Sequence, residues 1–363
     1  MKTRIAILQP LVPHYREEFF EQLSQQFDVD IYCYETQKKS DSANFSVTNN
    51  ISVKYIKSFS LAKFLVFNPL VFLKREYSVV ILMLHFGHLT TWFLLLTKLL
   101  HKRKIVLWGH GISVKRYLKE EQKPSRLLSY MISLSDSVWY YTFREKAIWE
   151  KNSVEKGVSL NNTISGISRI LEMIEFDKDS LKKRYKIEHS TVFIYCARFN
   201  EPLRRVDILI ETIKRLDSSQ YGFIIIGEGY LKPDFSSFKN VYDFGAVYES
   251  AIKDDLFQLA DIYFQPGWVG LSIVEALAYG KPIFTFRRSE DFRQCVEYAY
   301  IKDGVNGKLF DSLKEFLEYV NSLNIKDIEE MSKQARMFAK NNLSMDFMVN
   351  NAVNSVNRII STK

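Results

Sequence analysis

The chain reads as an α/β protein of two doubly wound, Rossmann-like domains, and three observations predict it. Short apolar runs alternate with amphipathic segments at a spacing that means parallel strands with helices on the sheet faces. The alternation lapses once, in the charged stretch around residues 165–190, and then restarts. A length of 363 residues with 47% hydrophobic content supplies two cores.

In the first half, strands are predicted over 5–8, 29–34, 79–84, 105–108 and 137–141, with helices over 16–26, 89–100 and 126–134. In the second half, strands are predicted over 191–195, 222–226, 241–244, 261–265 and 282–286, with helices over 206–216, 252–259 and 271–279. The segment SLKKRYKIEHS at the end of the lapse is expected to cross between domains. Residues 1–170 then form the first domain and 171–345 the second, and the stretch 327–360 is helical. In doubly wound sheets ligands bind outside the carboxyl ends of the strands, so a shared substrate is expected in a cleft where the domains face each other.

Charge is uneven. Residues 1–130 hold 19 Lys and Arg against 10 Asp and Glu, whereas the remainder holds 31 against 32, so the basic surface belongs to the first third. The run KSFSLAKFLVFNPLVFLKR at 57–75 mixes Lys57, Lys63, Lys74 and Arg75 with Phe59, Phe64, Phe67 and Phe72. This mixture suits a segment dipping into anionic lipid headgroups better than it suits base stacking, so peripheral membrane contact is expected and nucleic acid is not. The competing reading is a core helix with snorkelling lysines.

Cys33, Cys196 and Cys295 are odd in number and form no CxxC pair, which implies a reduced, cytoplasmic setting. The apolar run after Met1 is too short for a signal sequence. Residues 78–97 are interrupted by His85, Gly87 and His88 and read as strand then helix, not as a membrane span.

The most informative run is PGWVGLSIVEALAYGKP at 266–282. Gly267 and Gly270 leave the backbone bare after a strand, so the amides of Gly270, Leu271 and Ser272 can approach an anion at a helix N-terminus. Glu275 lies one turn inside the helix, where its carboxylate can accept hydrogen bonds from a ribose diol. The alternative is a buried strand-turn-helix with a solvated Glu. In CARFNEPLRRVDILI, Arg198 and Arg204 follow one strand and precede a helix, where guanidinium groups can clamp a diphosphate; paired arginines there can also be plain solvated surface.

Gly227 in IIIGEGY follows the next strand, and NVYDFGAV places Phe244, Gly245 and Val247 after the one beyond. In the first domain His14, Tyr15 and Arg16 follow the first strand, where contact with the acceptor or the cleft is one reading of them. His110 in WGHG is flanked by glycines at a strand end, where neutral imidazole can hydrogen-bond a sugar hydroxyl or shuttle a proton. His85 and His88 stand at a third strand end, where either an acceptor contact or a helix start would explain them. The Asp-x-Asp strings at 28–30 and 177–179 lie at a strand start and in the crossing, so no metal site is expected.

In this order the motifs resemble family 4 glycosyltransferases of the GT-B fold, two Rossmann-like domains facing across a cleft, strongest over 195–310. In that family an Arg after the first strand of the second domain, and a Lys some six residues on, contact the donor diphosphate. Arg198 matches the first and Arg204 takes the place of the second. The segment around Phe244 to Val247 matches the one whose backbone reads the base, and Gly227 matches the second strand end. Glu275 matches the family's second Glu, Gly270 and Leu271 its turn, and Gly267 stands where its first Glu should be.

A His at the position of His110 touches the donor sugar. The family's Gly-Gly loop after the first strand is absent. The resemblance implies that the last helix, 346–363, returns to the first domain. It also implies a retaining transfer from a nucleotide-diphosphate sugar without a protein nucleophile, and no metal cofactor is expected. With the basic, Phe-rich first domain, the expected acceptor is a lipid-linked saccharide at the inner membrane face, as in bacterial capsule or O-antigen assembly. A GT-B nucleotide-sugar 2-epimerase and a degenerate binding or scaffold protein are the rival readings.

Overall fold

The computed structural model describes residues 2–35, 51–152, 156–174 and 177–362. The chain forms two compact units, Met1–Gly166 joined by Ser344–Lys363, and Ile167–Leu343.

The first unit contains strands β1 (Arg4–Gln9), β2 (Asp28–Cys33), β3 (Val53–Tyr55), β4 (Ser58–Leu61), β5 (Phe64–Phe67), β6 (Val79–Met83), β7 (Lys104–Gly109), β8 (Ser137–Tyr140) and β9 (Val158–Ser159). Seven of them form one parallel sheet in the order β3-β2-β1-β6-β7-β8-β9. Its central strands are apolar almost throughout because helices cover both faces; Ile5, Ala6, Ile7 and Leu8 are fully buried.

The helix Glu17–Gln26 packs Phe19 against Trp108 with ring centroids 5.4 Å apart. The final helix, Met345–Ser361, buries Met345, Met348, Val349, Ala352 and Val356, a 3.6-residue repeat that gives one apolar face. That face lies in the first unit. Ser355 Oγ is 3.0 Å from Ser137 Oγ, and Asn351 Nδ2 donates to the Ser159 carbonyl at 3.1 Å.

The second unit contains β10 (Thr191–Cys196), β11 (Tyr221–Ile226), β12 (Val241–Asp243), β13 (Ile262–Phe264), β14 (Ile283–Phe286) and β15 (Gly307–Phe310), all parallel in the order β12-β11-β10-β13-β14-β15. Phenylalanines fill its core. Phe316, from the helix Leu313–Asn321, stacks on Phe264 at 4.6 Å and meets Phe310 edge-on at 5.0 Å. In each unit strand order reverses once, between β1 and β6 and between β10 and β13. A crevice therefore opens at the carboxyl ends of each pair.

Two sequence expectations are corrected. Residues 57–75 do not form the core helix of the competing reading: β4 and β5 make an antiparallel hairpin, followed by a 3-10 turn at Pro69–Phe72. Phe64 and Val66 are exposed and Leu65 and Phe67 buried, a period-two alternation that the sequence does not display because all four residues are apolar. The charged stretch 165–190 is not a bare crossing, because it holds the helices Ile167–Glu172 and Lys178–Tyr185. Three of its cations reach acids elsewhere in the unit: Arg169 grips Asp254 through two bonds of 2.6 and 2.9 Å, Arg184 meets Asp255 at 2.7 Å, and Lys178 meets Asp261. Among the described residues no helix is long and apolar enough to cross a membrane.

Candidate active site

In the second unit the loops after β10 and β13 meet at the reversal of strand order. Gly267 is the reason they can. A Cβ on this buried residue would lie 2.4 Å from the Leu203 carbonyl oxygen and 3.2 Å from Cγ of Arg205, so only glycine lets the two loops touch. Gly267 thus serves packing and does not offer a surface to a ligand.

Behind it, the fully buried Gln265 organises the turn. Its Nε2 donates to the carbonyls of Gly267 and Trp268 at 2.9 and 2.8 Å, and its Oε1 accepts from the hydroxyls of Tyr263 at 2.8 Å and Ser272 at 3.2 Å. The Ser272 hydroxyl is therefore turned inward. The amides of Gly270, Leu271 and Ser272 have no hydrogen-bond acceptor among the described residues, and they open the helix Ser272–Ala278. Three such donors in sequence favour an anion.

Arg198 is exposed at the end of β10 and has neither ion pair nor hydrogen bond among the described residues. Arg204 is half-buried, and its Nε is buried without an acceptor. Its charge is felt by Tyr195 and Cys196 on β10, by Tyr263 on β13 and by Cys295. Arg205 is consumed internally: it adopts a left-handed backbone with φ of 55°, pairs with Asp207 at 2.7 Å and stacks on Phe292 at 4.8 Å. Two cations thus stand at the crevice with no acidic partner among the described residues, and such groups take oxyanions bidentately.

Glu275 is held by a residue that no sequence motif flagged. Lys253, on the helix Ser250–Leu259, places Nζ 2.7 Å from Glu275 Oε2, with both side chains mostly buried. Burial pushes the neighbouring Cys196 thiol up to about 12, while the charges of Lys253, Glu275 and Arg204 all reach it. These three groups therefore gather at the end of β10. Gln265 and Lys253 were hidden because the one is a polar residue directly after a strand and the other lies on a helix remote from the Gly-rich run.

Gly227, at the end of β11, has φ of 144°, and a Cβ there would lie 2.1 Å from the Ala197 carbonyl oxygen; its amide donates to the Gly245 carbonyl at 2.7 Å. The Gly245 amide in turn donates to Asp243 Oδ1 at 3.0 Å. The Phe244 amide is tied to Ile225, and its ring meets Tyr185 edge-on at 5.8 Å. Of this segment the main chain of Val247 is uncommitted among the described residues.

In the first unit a cavity of about 920 Å³ opens at the carboxyl ends of β6 and β7, lined by His85, His110, Lys63, Lys115, Arg116 and Tyr141 among others. The His110 ring sits edge-on against Tyr141 at 4.3 Å. Burial, and then the nearby Arg16 charge, lower its pKa to about 4, so the imidazole is neutral at ordinary pH. Gly111 follows with φ of 69°, and a Cβ there would lie 2.6 Å from Nε1 of Trp149.

Arg16 is buried, with its guanidinium 4.8 Å from the Trp108 ring and 5.0 Å from Tyr141, and it donates to Gln9 Oε1 at 3.2 Å. It shapes the His110 side of the crevice from within. His14 is exposed and Tyr15 half-buried. His85 is exposed and stacks on Phe86 at 5.2 Å, whereas His88 is buried at the start of the helix Leu89–Leu96.

Residues 190–324 match the family described as glycosyl transferases group 1. No curated protein matches the chain in sequence. Among solved structures, HepE from Anabaena in complex with UDP superposes with a TM-score of 0.69 at 15% identity, over 99% of this chain and 100% of that one. A glycosyltransferase from Rickettsia africae ESF-5 gives 0.67 at 16% identity over 100% of both chains. The lipopolysaccharide outer core galactosyltransferase WaaB gives 0.64 at 16%, over 98% of this chain and 99% of that one. At these identities the likeness is one of fold, spanning both Rossmann-like units. With a glycosyl transferases group 1 domain in its second unit, the chain is a glycosyltransferase of the GT-B fold.

Proposed function

We propose that the chain transfers a sugar from a nucleoside-diphosphate sugar to a lipid-linked saccharide, with retention of anomeric configuration, in the assembly of a bacterial surface polysaccharide. The observation that carries this reading is the grouping of two cations, Arg198 and Arg204, with the open amides of Gly270 to Ser272 at one reversal of strand order. The structural neighbour HepE binds UDP and UDP-glucose, and WaaB is a lipopolysaccharide galactosyltransferase, which supports a donor and a pathway of this kind.

In this reading Arg198 and Arg204 hold the diphosphate, the amides of Gly270 to Ser272 hold a phosphate or sugar oxygen, and the second oxygen of Glu275 accepts from the ribose. Val247 contributes main-chain contact to the base. Neutral His110 hydrogen-bonds the donor sugar near the reacting carbon. As the bond from the anomeric carbon to the phosphate oxygen breaks, negative charge grows on the departing diphosphate, and fixed guanidinium groups and amides stabilise it. The acceptor oxygen forms the new bond to the same carbon, and no protein nucleophile is invoked. With two arginines as counter-charge, the transfer is proposed to be metal-independent.

The acceptor is assigned to the first-unit cavity beside His110 and His85, and the enzyme works in the cytoplasm at the inner membrane face. The 2-epimerase reading requires carboxylates for proton abstraction in the first unit. Among the described residues lining its cavity the one carboxylate, Glu120, is bound to Arg116 at 2.6 Å, which favours the transferase.

Calorimetry of the purified chain against a panel of nucleotide sugars tests the reading. No binding at millimolar donor would remove both transferase and epimerase and leave a scaffold. Release of nucleoside diphosphate that requires acceptor-bearing membranes identifies the transferase, whereas an isomerised donor formed without acceptor identifies the epimerase.

A further inference from the structure

The β4–β5 hairpin leaves one face of large apolar side chains exposed. Its register pairs Phe59 with Val66 and Leu61 with Phe64, so these four side chains share one face. They are 66%, 43%, 66% and 46% exposed in that pairing order. Ser58 and Ser60 lie on the other face, opposite the buried Phe67 and Leu65. Both serines are exposed as well, but a hairpin ordinarily turns its large apolar groups inward.

The neighbouring helix repeats the pattern. Leu89, Phe93 and Leu96, spaced i, i+4 and i+7, are exposed along one side of Leu89–Leu96, while Thr90, Thr91, Leu94 and Leu95 are buried. Leu99 and Leu100 in the next turn are 87% and 84% exposed. Hairpin and helix adjoin where the Leu65 amide donates to the Gly87 carbonyl at 2.9 Å and Leu65 bridges His88.

We infer that the first unit docks on an anionic lipid bilayer through this apolar surface, the hairpin face and the helix stripe entering the headgroup region together. Charge selects the occupant. Residues 51–130, which supply both elements, contain 14 Lys and Arg against three acidic residues. Two of those three, Glu120 and Glu121, are bound by Arg116 and Arg144. Lys57 and Lys63 stand exposed at the base and turn of the hairpin, and Lys102 follows the exposed leucines. Each cation near an anionic surface adds about fivefold in affinity.

A second copy of the chain would set this positive field against itself. Lys63 and Ala62 at the hairpin turn also line the cavity of His85 and His110, so the docked face runs into that cavity. The inference names the surface for the membrane contact in the proposed function and rests on that part of it, not on the donor assignment.

Flotation of the full chain with vesicles of phosphatidylcholine alone, and of equal parts phosphatidylcholine and phosphatidylglycerol, tests it. The wild type is expected to float with the anionic vesicles, less so as salt rises. The variant Phe59→Ser/Leu61→Ser/Phe64→Ser/Val66→Ser is expected to lose about tenfold or more in partitioning with an unchanged thermal melt. Should that variant unfold, Leu96→Ser/Leu100→Ser provides the same readout on the helix stripe.

Absence of wild-type flotation, or equal flotation of a folded variant, overturns the inference. So does a wild-type dimer in sedimentation that the variant converts to monomer without any vesicle binding. Nucleotide calorimetry on the same samples separates the two ideas. Flotation without nucleotide binding removes the donor reading alone, and nucleotide binding without flotation removes the membrane surface alone.

Discussion

Nζ of Lys253 lies 2.7 Å from Oε2 of Glu275, which fixes the carboxylate at the end of β10 and leaves Oε1 without a hydrogen-bond donor among the described residues. The pair is mostly buried, so removing the ammonium leaves a half-desolvated carboxylate uncompensated. Lys253→Met is expected to lower stability by about 1 to 3 kcal/mol in urea unfolding, short of the full penalty for a dry pair. It is also expected to weaken donor binding by calorimetry, because Glu275 then loses the contact that orients it. A variant with wild-type stability and wild-type donor affinity would show that the pair is incidental.

Arg198 and Arg204 differ in what their loss does to the protein. Arg198 is exposed and makes no ion pair among the described residues, so Arg198→Ala should leave the melting temperature unchanged while weakening nucleoside diphosphate binding by about 1.5 to 3 kcal/mol, the scale of a charged hydrogen bond. Arg204, half-buried beside Tyr195 and Tyr263, should show the same loss of affinity together with a change in stability. Unaltered affinity in both variants would remove the diphosphate from this crevice.

Gly267 stands where the resembling family has a carboxylate, and the loop contact explains why. The Leu203 carbonyl oxygen lies only 2.4 Å from where a Cβ would stand, so any side chain must push apart the loops that carry Arg204 and Gly270. Gly267→Ala is expected to cost about 1 to 3 kcal/mol by overpacking, and Gly267→Glu at least as much. Neither should improve donor affinity in calorimetry. A Gly267→Glu protein that melts like wild type and binds donor more tightly would show that the loops can part.

The alternation of apolar runs was enough to read the central strands of both sheets, because strands buried on two faces announce themselves as continuous hydrophobic stretches, but not the edge strands β3, β9 and β15. It also set Arg198, Glu275 and His110 beside strand ends. What stayed hidden depends on contacts between segments distant in sequence. Lys253 acquires meaning only when its helix packs beside the one carrying Glu275. Gln265 looks like a loop residue until its four hydrogen bonds are seen. The hairpin within 57–75 is obscured because its exposed face is apolar, so the usual contrast between wet and dry positions is missing. The helices of 165–190 are obscured because Arg169, Arg184 and Lys178 pair with Asp254, Asp255 and Asp261, which sequence spacing does not reveal.

His88 and His110 give the first unit a distinct acid sensitivity. Burial lowers both to about 4 from the ordinary 6.5, with His85 adding to the effect on His88 and Arg16 to that on His110. Between those values the unfolded chain binds protons that the folded unit refuses, so stability falls as pH drops from about 6.5 toward 4 and is fully present above 6.5. Each histidine contributes a slope of up to about 1.4 kcal/mol per pH unit in that window. Urea unfolding followed across it should steepen accordingly, and His88→Gln and His110→Gln should each flatten the dependence. Since His110 stays neutral in the folded protein, transferase activity should show no inflection near 6.5 from this residue. A rate that rises through 6.5 in wild type but not in His110→Gln would mean that the imidazole titrates freely in the cavity.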